Sequence, residues 1–98
     1  MSKSCVPAPD SLSACRSWKN RCLRLYDNRE AKLCGLLGVE KRGLELALLE
    51  VRRFGMSHEV RQTAAQWVDA ENELAHALSL LETAEAIQHN REFLERDE

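Results

Sequence analysis

The residues of this chain that could ligate a metal or act as nucleophiles are three histidines, His58, His76 and His89, and four cysteines, Cys5, Cys15, Cys22 and Cys34. Zinc held on one helix face takes two imidazoles four residues apart, and no pair of these histidines has that spacing. The cysteines contain no C-x-x-C, the usual thiolate frame for structural zinc or disulfide exchange. Glu85, His89 and Glu92 share a helical face and carry the donor atoms a cation would need. A solvated helix face presents the same spacing, so no metal is assigned to it. No glycine-rich phosphate loop or nucleophile elbow occurs, and no Cys–His pair can be inferred. The expectation is a protein that is not an enzyme and carries no cofactor or metal.

The cysteines read instead as structure. Cys15 and Cys22 are seven residues apart, on one helical face but ~10 Å apart along the axis. A disulfide tolerates a Cα separation of up to ~7 Å, so both behave as small apolar core residues. Met1 to Pro9 contains no apolar signal core. No run approaches the ~18–20 apolar residues of a membrane span. Reduced thiols in a cytoplasm, and no membrane contact, are therefore expected.

The elements that position these residues are helices. Ser57 to Glu98 is 42 residues without glycine or proline, which predicts one helix roughly 60 Å long. No alternating run rich in Val, Ile or Thr supports a strand. With 44% apolar residues, 5% aromatics and 31% charge, the expected fold class is all-α. Residues 1–9, with Pro7 and Pro9, are expected to form a mobile N-terminal arm. Asp10 or Ser11 can cap a helix directly after the proline. Cys15, Trp18, Cys22, Leu25, Tyr26, Leu33, Leu36 and Leu37 then place an apolar stripe on one side of it. Gly35, Gly38 and Gly43 offer either a weak point or a break near 35–38. With no proline and no Asn-Gly or Asp-Gly turn there, continuation from 10 to 54 is preferred. The run Arg52 to Ser57 ends this helix and starts the next: arginines in a last turn, Gly55 after it, and Ser57 ahead of Glu59. Helices at about 10–54 and 57–96 with so short a connection predict a long antiparallel hairpin in a single domain, 10–98.

Charge is unevenly placed along this hairpin. Residues 1–54 hold 11 Lys/Arg against 6 Asp/Glu, and residues 55–98 hold 3 against 10. Oppositely charged antiparallel segments attract each other. The basic residues gather on no single recognition face and the acidic half would repel DNA, so nucleic acid is not the expected partner. Arg29 falls inside the apolar stripe of the first helix. In a hairpin turning at 55–56 it comes opposite residues 82–85, which predicts a register-setting ion pair with Glu82 or Glu85.

The helices carry more apolar surface than one fold-back can hide. Val60, Ala64, Trp67, Val68, Leu74 and Leu78 form one stripe. Leu80, Ala84, Ile87 and Leu94 lie ~120° or more around the cylinder from it. Leu46 and Leu49 likewise face away from Leu44 and Leu48. The surplus predicts a further body, either a second copy that completes a bundle as a homodimer or another protein. Leu46, Leu49, Leu80, Ile87, Phe93 and Leu94 are the expected dimer or partner contacts. The function that follows is a cytoplasmic adaptor, chaperone or antiactivator that binds a partner protein through helical surfaces. Small secreted helical hairpins of this length carry Trp-x-Gly at their turn, but this chain has Phe54-Gly55 without the intervening residue, and no family is recognised in it. A secreted or structural helical hairpin is the alternative class. A small nucleic-acid-binding regulator is the third class.

Overall fold

The computed structural model describes residues 6–96. They form helices α1 (Leu12–Leu37), α2 (Leu44–Phe54) and α3 (His58–Arg96), with a single 3₁₀ turn, Lys41–Gly43, ahead of α2. No strand occurs among the described residues, and the fold is all-α as composition predicts. The expected arm falls partly on residues 1–5, outside the described residues.

The starts of α1 and α3 are fixed locally. The Ser11 N–H donates to the Ala8 carbonyl at 3.1 Å, closing a turn over Pro9 and Asp10, and the Ala14 N–H donates to Ser11 Oγ at 3.4 Å. Ser11 rather than Asp10 is therefore the cap of α1. At α3 the Val60 N–H donates to Ser57 Oγ at 3.3 Å, and the Arg61 N–H reaches the Ser57 carbonyl at 3.0 Å. Those bonds satisfy donors that a helix N-terminus otherwise leaves open. Gly55, at φ 108°, ends α2 in a backbone region that side chains with a Cβ rarely enter.

The preferred continuous helix from 10 to 54 is not what forms. Helix α1 stops at Leu37 because Gly38 turns left-handed, at φ 66°. The Val39 N–H then reaches back to the Cys34 carbonyl at 3.1 Å. This is the six-to-one bond of a Schellman ending, and it satisfies a carbonyl that the last turn would leave bare. Gly35 stays inside α1, whereas Gly43 becomes the residue ahead of α2.

The chain divides into two compact units, Arg24–Asn72 and Met1–Leu23 with Glu73–Glu98; α1 and α3 each contribute residues to both. In Arg24–Asn72 the core is Leu33 and Cys34 from α1, Leu44 and Leu48 from α2, and Trp67 from α3. Tyr26, Leu37, Val39, Val51, Met56, Val60 and Ala64 pack around it. Leu44, Leu48 and Val51 recur at steps of four and three, so α2 turns one apolar stripe inward. Chain reversal at Gly38 thus lets α2 supply the third body that a two-helix reading lacked in this unit.

In the other unit Trp18, Cys22 and Ala77 form the core, with Leu74 and Leu80 packed on them. Trp18 meets the His76 ring edge to face, with centroids 5.4 Å apart. Along α3 four small buried residues, Thr63, Ala70, Ala77 and Ala84, repeat every seven positions, apart from the large buried Trp67. A seven-residue repeat of small side chains allows close helix approach along one seam. Cys15, Cys22 and Cys34 are free and buried, as expected of small apolar core residues. Cys5 lies outside the described residues.

Candidate functional site

In Arg24–Asn72, α2 and the start of α3 border an open groove of about 420 Å³. Leu48 and Trp67 line it, and Ala64 and Ala65 are too small to fill it. Gly55 and Met56, between the two helices, also line it. The charged residues in its lining are Arg52 and Arg61, both exposed. The ion pairs among the described residues are Lys41–Glu30 at 3.7 Å and Arg42–Glu40 at 3.4 Å, so neither groove arginine is paired. A second hollow of about 300 Å³ shares Leu48, Arg52 and Trp67 with the first and adds Glu45, Leu49 and Glu71.

Tyr26 anchors the inner side of Trp67. The two rings stack with centroids 6.3 Å apart and planes 26° from parallel. The Tyr26 hydroxyl donates to Glu30 Oε2 at 3.1 Å. Burial, then the bond to Glu30 and the nearby Glu30 and Glu71 charges, raise the Tyr26 pKa. The Trp67 indole N–H pulls slightly the other way without reaching hydrogen-bonding geometry, and Trp67 Nε1 is buried without a partner. Burial foremost also raises the Cys22 and Cys34 thiols above their ordinary value, reinforced by the Glu73 and Glu30 charges respectively. Raised thiols are poor nucleophiles at neutral pH. Among the described residues no group of three or more His, Cys, Asp or Glu is placed to hold a metal ion. No described helix is long and apolar enough to cross a membrane.

The residues expected to contact a partner divide into two groups. Leu46 and Leu49 are 65% and 60% exposed on α2, and Phe93 and Leu94 are 59% and 66% exposed near the end of α3. Leu80 instead packs partly buried on the Trp18–Cys22–Ala77 cluster, so it belongs to that core. Ile87 is half-buried.

The expected ion pair of Arg29 with Glu82 or Glu85 is absent from the pairs just given. Arg29 Nη1 donates to the Gln66 carbonyl at 3.0 Å. The prediction assumed an unbroken helix to residue 54. With the chain reversing at Gly38, position 29 meets position 66. Glu82 and Glu85 are both exposed on α3.

Sequence reading missed the groove and its two arginines. By spacing, Leu44, Ala47, Leu48, Val51 and Phe54 read as one apolar stripe, yet Phe54 is 84% exposed beside Gly55; Val68 and Leu78, also read as inward, are exposed too. The readable signal for Phe54 was its angle: it stands roughly 90° around α2 from the Leu44–Leu48–Val51 stripe. Compared with family models, curated proteins and solved structures, the chain matches none of them.

Proposed function

We propose that this chain is a non-enzymatic protein-interaction module, an adaptor, chaperone or antiactivator acting in the cytoplasm, that takes up a partner protein on its helical surface. One observation carries the reading. Leu46 and Leu49 stand exposed on the face of α2 turned away from the core. They lie roughly 130–170° around that helix from the inward stripe at 100° per residue. Covering one leucine is worth ~1.5–3 kcal/mol, and Phe54, also exposed, adds a larger surface at the same helix. Cys15, Cys22 and Cys34 as free thiols are consistent with a reducing cytoplasm. A second copy is one candidate partner, its helices completing a bundle in the manner of a long helical hairpin dimer.

A photo-activated cross-linker placed at position 49 tests the proposal in the native cell. A discrete adduct from position 49, missing when the same group stands at the exposed polar position Gln62, is the expected result. Equal or absent adducts at the two positions would overturn it. Light scattering over a concentration series then tells whether the adduct is a second copy.

A further inference from the structure

The groove beside Trp67 is more specific than an exposed apolar face, because its charge is ordered along its length. We infer that it docks an amphipathic helix of a partner protein whose carboxylate sits between Arg52 and Arg61. The inference rests on the interaction-module reading and narrows it to one site and one partner chemistry. The floor is apolar, made by Leu48, Trp67, Ala64 and Ala65. Both elements that border it are helices, so a helix laid in the groove meets it with apolar residues at steps of three and four. Arg52 and Arg61 line the groove, and neither is in an ion pair among the described residues.

The far end has the opposite sign. Glu45 and Glu71 line the adjoining hollow, on the same two helices as Arg52 and Arg61. Glu45 and Arg52 are seven residues apart on α2, and Arg61 and Glu71 are ten apart on α3. At ~1.5 Å per residue the basic and acidic ends are therefore ~10–15 Å apart, two to three helical turns. A partner carboxylate gains at the arginine end and is repelled at the glutamate end. One placement along the groove is thereby selected.

The probe is a fluorescein-labelled, end-blocked 14-residue helical peptide with leucines on one face and a single Glu at one end of it. Companion peptides carry Gln or Lys at that position. Fluorescence anisotropy should rank their affinities Glu over Gln over Lys, about three- to fivefold per step, as for a partly screened ion pair. The exposed double variant Arg52→Glu with Arg61→Glu should invert the order. A peptide with Glu at both ends should bind wild type more weakly than the single-Glu peptide and recover in Glu45→Gln with Glu71→Gln. Absence of binding, or one affinity for all three peptides, would overturn the inference. So would a wild-type dimer that the arginine variant splits and the peptide does not displace, because a second copy then fills the groove. The adduct at position 49 is read separately, so the broader proposal can survive the loss of this one.

Discussion

The Val39 N–H donates to the Cys34 carbonyl at 3.1 Å across Gly38, whose φ is 66°. That bond decides where α1 ends, and it makes two glycines three residues apart respond oppositely to the same substitution. An added Cβ would meet nothing within 4 Å at either Gly35 or Gly38. Space is therefore equal and backbone conformation decides. Gly35→Ala, inside α1, should stabilise the protein by about 0.5–1 kcal/mol. Gly38→Ala should destabilise it by ~1–2 kcal/mol, because alanine pays for the left-handed conformation. Urea unfolding of the two variants gives the signs directly, and equal signs would contradict this ending of α1.

Arg29 should contribute through a hydrogen bond to backbone. Its Nη1 donates to the Gln66 carbonyl, and that carbonyl sits within α3, where it retains its own helical donor. Arg29→Met keeps the stem and removes the guanidinium, so the expected loss is about 1 kcal/mol. Glu82→Gln and Glu85→Gln, at exposed positions, should each change stability by less than ~0.5 kcal/mol. A glutamine variant that cost as much as Arg29→Met would restore the ion-pair reading.

Local signals were legible and packing signals were not. Ser11, Gly55 and Ser57 act through backbone groups within a few residues of themselves, so their roles could be read from the sequence. Gly38 needed one more step, because Val39 had to pair with the apolar Leu33 and Cys34 ahead of it. With α1 read as continuing, every register inferred beyond it was displaced, including the one for Arg29. The groove was illegible for another reason, since it depends on Ala64 and Ala65 leaving space beside Trp67. Leu80 was misplaced differently. Its helical angle set it apart from the large apolar residues, whereas the buried α3 residue of its own cluster is the small Ala77.

Ala77 offers a sharp test of packing. Ala77 is 0% exposed among Trp18 and Cys22. Ala77→Leu inserts three carbons where none fit and should cost ~1–3 kcal/mol. Ala75→Leu and Ala86→Leu, on exposed positions of the same helix, should stay within about 0.5 kcal/mol of wild type. Thermal melts of the three separate a packed seam from a general dislike of bulk on α3.

Alkaline pH should weaken the fold. Burial raises the Cys22 and Cys34 thiols above 9.0 and the Tyr26 hydroxyl above 10.0 in the folded chain. The folded state then holds protons that the unfolded state releases, so stability declines as pH climbs. Below pH 9 the contribution of the thiols is complete, and it is lost as pH rises through their folded values. The urea midpoint should hold steady from pH 7 to pH 8.5 and drop by pH 10.5. Cys22→Ala with Cys34→Ala should remove part of that drop. A midpoint that rose with pH would reverse the sign argued here.

Leu46→Lys with Leu49→Lys separates folding from recognition. Both side chains stand more than half exposed on the outer face of α2, while Leu44 and Leu48 hold its inner face at 1% and 8% exposure. Lysine is as good a helix former as leucine to within a few tenths of a kcal/mol, and neither position gives up a core contact. Stability of the isolated chain should therefore move by less than ~0.5 kcal/mol. Leu44→Ala on the inner face should cost ~2–5 kcal/mol by comparison. Partner capture should respond the other way round, because two charges placed at the centre of an apolar contact must be desolvated on binding. The measurement pairs urea unfolding with the yield of a cross-linked adduct from a group at position 54. Lost stability together with a retained adduct in the double variant would mean that this face of α2 serves the fold rather than a partner.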